Sequence, residues 1–427
     1  MPPLNYSGKL VLAPMVRIVD KCLSDPERGR RSIWLHELHY KYICVSNSVI
    51  QVRTGELPIR LSALRYGADL VWSPEIVDKK ILACTRVVNE KINCVDFVQP
   101  DKDNNVVFRT HRHHERSKII FQLGTASPEL AVQAATIVAA DVAGIDVNSG
   151  CPKHFSIHSG MGAALLRTPE KLVAILEALV KEVGKKFDIG ISVKIRILDS
   201  PEATFELVKR LVKTGISALT VHCRKIAMRP RERAIRDGYL AGIANICREA
   251  GVTCIANGDV YCRADLTMLK DMYGIESAMI ATSAETNVSC FGADTKDKVR
   301  PWREVAEEIF KAAVEIDNHT TNTKYILGRI IPGKDVMYRG IMQSHSHDEM
   351  KRVFQGLPPQ ETERLKSQKP NQAKVSSNRD LEPTNPKRKI AISAMEDLCL
   401  GIDRQRQKLD DVETPLREGP SALQTVG

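Results

Sequence analysis

Eight short apolar runs rich in β-branched residues recur along the chain between Leu10 and Glu285: "LVLAPMV", "ADLVWSPEIV", "KIIFQLG", "GIDVNSGCP", "ISVKIRI", "ALTVHCRK", "VTCIANGDV" and "SAMIATSAE". Amphipathic stretches such as "PEKLVAILEALVKEVGKKF" and "PEATFELVKRLVKTG" separate several of them, with apolar residues three and four apart and Lys and Gly at their ends. This alternation closes most simply into an α/β fold of the (β/α)8 TIM-barrel class, with a doubly wound sheet as the alternative.

A barrel of this kind displays its functional side chains at the C-terminal ends of its strands. Met15, Gln122, Asn148, Lys194, His222, Asn257 and Asp259 all fall there, so one rim reads as a site. In "GIDVNSGCPKHFSIHSGMGAALL" the strand pattern breaks at Asn148-Ser149-Gly150, and Pro152 blocks an immediate return to regular structure. Cys151 is thereby displayed at a strand end. A cysteine taken alone is more often a small buried hydrophobe, so the thiol acquires a role only from its surroundings.

The chain has 427 residues, enough for a large barrel and an appendage. The expected division is a barrel over 1–300, a small helical domain over 301–357, and a mostly disordered tail over 358–427, which has no aromatic residue. Lys and Arg total 62 against 52 Asp and Glu, a net charge of +10 that favours a polyanionic partner. The start shows no basic-then-apolar signal pattern, and no apolar run is long enough to span a bilayer, so a cytoplasmic protein without a membrane partner is expected. "PKRK" in the tail reads as a solvated charge run or a nuclear-import signal. The 11 cysteines lack any CxxC spacing, so free thiols are expected rather than disulfides or zinc. The histidines of "RTHRHHERSK" have no acidic or cysteine ligand beside them and read as a basic surface turn; no metal is expected.

Taken in order, "LAPM", "FQLG", "DVNSGCP" with "GMGAALL", "SVKIR", "TVHCR" and "ANGDV" resemble the tRNA-dihydrouridine synthases, over roughly Leu10 to Gly356. "GCPKHFSIHSGMGAALL", "VHCRKIAMRPRERAIR" and "DNHTTNTKY" are similar to the eukaryotic class acting at position 20 of the tRNA D loop. The resemblance implies a flavin mononucleotide (FMN) barrel that reduces the 5,6 double bond of uridine in tRNA, with NADPH or NADH as reductant. It places Pro14, Met15 and Val16 against the flavin ring, Gln122 on its pyrimidine edge, Lys194 opposite the charge of the reduced ring, and His222 at a further polar contact. Asn257, Gly258, Asp259, Ala281 and Thr282 would cradle the phosphate. Cys151 would donate the proton to carbon 5 of the base once hydride has reached carbon 6. An ordinary thiol, with a pKa near ~8.5, is mostly protonated at neutral pH and suited to that task. Asn148 would hold the base, while Arg224, Arg229, Arg231, Arg233 and Lys324 would meet tRNA phosphates.

Two features depart from that pattern. Many family members carry arginine where this chain has Thr282. In addition, about 36 residues separate "LAPM" from "ELPIRLSALRYGAD", among them Trp34, His36, Tyr40 and Tyr42. The segment 16–51 reads as a lid or base-stacking surface, or as a retained intron: Val16-Arg17 recurs as Val52-Arg53, and deleting Val16 to Gln51 restores the family pattern. Two other functions remain open at this level. One is a flavin barrel acting on free pyrimidines, which the arginine-rich segment and the helical appendage argue against. The other is an RNA-binding remnant without catalysis.

Overall fold

The computed structural model describes residues 4–14, 55–102, 104–229 and 231–359. Met15, Val16, the segment 16–51 with its aromatic residues, and the tail from 360 onward lie outside the described residues.

Eight parallel strands close into a barrel. They are β1 (Leu10–Leu12), β2 (Leu70–Trp72), β7 (Ile119–Gly124), β8 (Gly144–Ser149), β9 (Gly190–Arg196), β10 (Ala218–His222), β11 (Thr253–Asn257) and β12 (Ser277–Ile280). Hydrogen bonds run β1-β2-β7-β8-β9-β10-β11-β12 and return from β12 to β1, the closure passing through Val71 opposite Ile119 and Leu10 opposite Ala278. The strands are buried almost throughout, which explains why they read as continuous apolar runs rather than alternating ones. A short strand β3 (Ile76–Val77) leaves the end of β2 after the Ser73-Pro74 break and pairs with β7 at Leu123 and Gly124.

Local sequence sets where the helices begin. Ser127 and Ser200 each precede Pro and Glu, and their hydroxyls accept from the N–H groups of Leu130 and Ala203, capping the helices Pro128–Val138 and Pro201–Val212.

One element is absent from the sequence reading. Strands β4 (Thr85–Asn89), β5 (Cys94–Gln99) and β6 (Asn105–His111) form a separate antiparallel sheet ahead of β7. Its inner face is anchored by Phe108, which stacks on Phe97 at 5.6 Å and meets Phe121 of the barrel edge-on at 5.1 Å. Beneath it, the buried Arg60 guanidinium donates to both Glu115 oxygens, at 2.6 and 3.1 Å. "RTHRHHERSK" is therefore not wholly a surface turn: Arg109, Thr110 and His111 finish β6, and His111 is half-buried, whereas His113 and His114 are exposed. Its Arg109 grips Asp96 and donates to the Ile316 carbonyl at 2.7 Å, tying this sheet to the helical segment.

That segment comprises the helices Trp302–Glu315, Thr320–Ile330, Val336–Gln343 and His347–Phe354, as the sequence pattern predicts. The described residues form one compact unit. "DNHTTNTKY" is a helix start: the Asn318 amide donates to Asn322 and Thr323, and the His319 ring accepts from the Thr321 N–H. The eight described cysteines are all free thiols.

Candidate active site

The strand-end residues converge on a cavity of about 210 Å³ whose walls include Pro14, Gln122, Asn148, Cys151, Lys194 and His222. It shares Arg196, His222, Asn257 and Ala281 with a larger cavity of about 910 Å³, which Gly258, Asp259 and Thr282 also line.

Asn148 organises the loop that carries the thiol. Its Oδ1 accepts from the N–H groups of Gly150 and Cys151, both at 3.0 Å, while its Nδ2 donates to Gln122 Oε1 at 3.1 Å. Gln122 in turn donates to Asp146 at 2.8 Å, and Asp146 accepts from Ser192 at 2.7 Å. This chain, spanning three adjacent strands, fixes which way both amides point. Burial raises the Asp146 carboxyl above its ordinary range, opposed by hydrogen bonds from Gln122 and Ser192. From the other side, Gly162 closes on the loop: at φ +58 it lies so near that an added Cβ would come within 2.8 Å of the Cys151 carbonyl and 3.1 Å of its Cβ. "GMGAALL" thus packs directly against the cysteine.

The thiol is not ordinary. Burial, and after it the neighbouring Glu75 carboxylate, push Cys151 up to about 11, so the proton stays on sulfur well beyond neutral pH.

Lys194 presents an ammonium to the cavity and makes no hydrogen bond to a described residue. Burial and the charge of Arg196 bring it down to about 8, while Asp146 opposes the shift. His222 is pushed down to about 2, chiefly by burial and then by Lys194, Arg196 and Arg224, and is therefore neutral. Arg224 Nη1 lies 3.1 Å from its Nε2. A guanidinium can only donate, so Nε2 accepts and Nδ1 holds the ring proton.

The larger cavity combines arginines with the turn after β11. Gly258, at φ +103, and Asp259, at φ +54, make a tight turn after β11. A Cβ on Gly258 would stand 3.1 Å from the His222 ring. Arg236 donates to the carbonyls of both turn residues, at 2.8 and 2.7 Å. The Asp259 carboxylate accepts from Arg224 at 2.5 Å and from the Ala234 N–H at 2.6 Å. Gly258, Asp259, Ala281 and Thr282 all line this cavity. Asn257 is occupied in donating to the Met279 carbonyl at 2.8 Å.

The residues expected to meet tRNA separate into three places. Arg224 is buried and paired with Asp259. Arg231 lines the larger cavity with Arg233, whereas Arg229 is exposed and borders neither cavity. Lys324 donates to the Ser344 carbonyl at 2.8 Å within the helical segment and borders neither cavity. Sequence reasoning missed Glu75, Arg196 and Arg236. The "SVKIR" motif contained Arg196, but nothing in its spacing shows that its Nε reaches the Gly150 carbonyl at 2.8 Å.

Residues 69–375 match the family model described as "Dihydrouridine synthase (Dus)". The chain belongs to the dihydrouridine synthase family. Among family relatives, the tRNA-dihydrouridine(20) synthase [NAD(P)+] of Schizosaccharomyces pombe is 47% identical over 359 residues, which cover 82% of this chain and 66% of that protein. The tRNA-dihydrouridine(20) synthase [NAD(P)+] of Saccharomyces cerevisiae is 45% identical over 363 residues, covering 83% of this chain and 85% of that protein. A second synthase from S. cerevisiae, the tRNA-dihydrouridine(20a/20b) synthase [NAD(P)+], is 29% identical over 251 residues, covering 59% of this chain and 62% of that protein.

Proposed function

We propose that this chain is a tRNA-dihydrouridine(20) synthase: it reduces the 5,6 double bond of uridine 20 in the tRNA D loop, with FMN as bound cofactor and NADPH or NADH as reductant. The observation that carries this reading is the meeting of a protonated Cys151 thiol and the Lys194 ammonium in one cavity at the barrel's C-terminal rim.

The residues present fit FMN. A half-buried cation at the cavity wall and a glycine turn bordered by arginines are the complements of an electron-accepting ring and a phosphate. Lys194, Gln122 and Pro14 would hold the ring, and the backbone of Gly258, Asp259, Ala281 and Thr282 would hold the phosphate. Thr282 carries no charge where many relatives carry arginine, but Arg231 and Arg233 border the same cavity and supply positive charge there. Bound in this position, a flavin would supply hydride to the base.

The remaining chemistry belongs to the protein. Asn148 fixes the Cys151 loop from within through its two accepted N–H groups. Cys151 gives its proton to carbon 5 of the base as negative charge develops there. His222, neutral and with Nε2 occupied, adds no charge to the site. A uridine inside folded tRNA has to leave its stack to reach a rim cavity, and exposed Arg229, Arg231 and Arg233 beside that rim are placed to take phosphates.

Two measurements test this reading. Purified protein should show a flavin absorption band bleached by NADPH or NADH, and position-by-position mapping of tRNA should show dihydrouridine 20 lost without the gene and restored with it. A colourless protein that binds tRNA, or an unchanged position 20, would reject it.

A further inference from the structure

Glu75 enters the site through the break between β2 and β3. Ser73-Pro74 ends β2, and β3 then pairs with β7 at Gly124, whose missing side chain makes room for the carboxylate. A Cβ on Gly124 would lie 2.8 Å from Glu75 Oε1. Glu75 is 7% exposed and borders the same cavity as Cys151, where its carboxylate acts electrostatically on the thiol. The other ionisable groups facing the sulfur are Lys153 on its own loop, Lys194 and Arg196 on β9, and neutral His222 on β10.

Lys153, Lys194 and Arg196 would, by themselves, favour a thiolate. Glu75 is the anionic side chain set against them. The protonation state of that sulfur selects between two reactions with the same base. A thiolate adds to carbon 6 of the 5,6 double bond, forming a C–S bond and pushing the electron pair to carbon 5. A thiol instead breaks its S–H bond and forms a C–H bond at carbon 5 after hydride has reached carbon 6, its electron pair staying on sulfur until solvent returns a proton.

We propose that Glu75 is a positioning residue that keeps Cys151 in its thiol form, so that it meets the base as an acid and not as a nucleophile. This rests on the proton-donor reading of Cys151. Burial and the Glu75 charge act in the same direction on the sulfur, with burial the larger, so removing the charge lowers its pKa only in part.

The test is the pH dependence of iodoacetamide alkylation of the full chain without tRNA, with the Cys151 peptide followed by mass spectrometry. In Glu75→Gln the alkylation midpoint should fall by roughly one pH unit or more, raising the rate about tenfold at a pH below both midpoints. Glu75→Met removes the same charge without a buried amide, and whichever variant retains a native thermal transition decides the matter. Glu75→Asp keeps a carboxylate and should hold the midpoint above that of Gln. A folded Gln or Met variant with an unchanged midpoint would overturn the proposal. The proton-donor reading fails separately, if Cys151→Ala reduces tRNA at the normal rate.

Discussion

The Nε of Arg196 donates to the Gly150 carbonyl at 2.8 Å, one residue ahead of Cys151, while its Nη1 donates to the Lys225 carbonyl at 3.1 Å. A side chain at the end of β9 thus joins the thiol-bearing loop after β8 to the arginine-rich loop after β10. The proposed proton donor and the loop proposed to meet tRNA are braced by one guanidinium.

Replacement of Cys151 by Ala should leave flavin binding and reduction by NADPH intact and slow single-turnover oxidation of the reduced protein by tRNA about 10²–10⁴-fold. The sign of the pH dependence follows from the raised thiol: the donor is active while protonated and is lost as pH rises through about 11. The wild-type rate should therefore show no thiol limb between about pH 7 and about pH 9, where an ordinary cysteine would titrate. A limb centred near about 8.5 would show the sulfur to be unperturbed.

Arg231→Ala with Arg233→Ala should weaken tRNA binding and make it less salt-dependent, because fewer condensed counterions are released. Each lost phosphate contact reduces the slope of log affinity against log salt by about 0.7–0.9, so the pair should lower it by roughly one to two units. Titrations at several salt concentrations would measure this. An unchanged slope would place both side chains away from the nucleic acid.

Gly162→Ala forces a Cβ into a left-handed position already crowded by the Ser156 hydroxyl, the Cys151 carbonyl and the Cys151 Cβ. The conformational cost alone is about 1–3 kcal/mol. We expect a lower melting temperature and a slower tRNA step, with little change in flavin absorbance because Gly162 does not border either cavity.

Arg60→Leu should destabilise the protein by about 3–5 kcal/mol, since it strands the fully buried Glu115 carboxylate without its ion-pair partner. The Thr110 hydroxyl and the His111 N–H would remain as donors to it, at 3.1 and 3.3 Å. Denaturant unfolding reads the loss directly. A double replacement that also makes Glu115 apolar should recover much of it.

The eight barrel strands were legible because a parallel strand covered on both faces is apolar along its whole length. β4 was not. β4 is exposed or half-buried at every position, so "TRVVN" carries no core signal, and Val87 and Val88 face outward. That Gln122, Asn148, Lys194, His222 and Asn257 share one cavity could be read from their places at strand ends. Their partners could not. Arg224 sits in a run of basic residues that resembles a phosphate-binding stretch, yet its guanidinium is occupied by Asp259, distant in sequence and reached only through the β11 turn. Glu75 was hidden for a simpler reason: Pro74 splits "LVWSPEIV" into two short strands, and the residue that tunes the thiol lies at that seam.

Lys194 and Arg196 stand two positions apart on β9, so the strand's pleat turns both toward the rim cavities while Ile195 between them is buried in the core. A single-residue insertion or deletion earlier in β9 would invert that arrangement, drawing two cations into hydrocarbon and turning an isoleucine toward the cavity. The cavity ammonium of Lys194 and the Arg196 brace of the Cys151 loop are therefore gained or lost together. Neither can drift by one residue in evolution without the other, and that single strand sets the reading frame of the whole site.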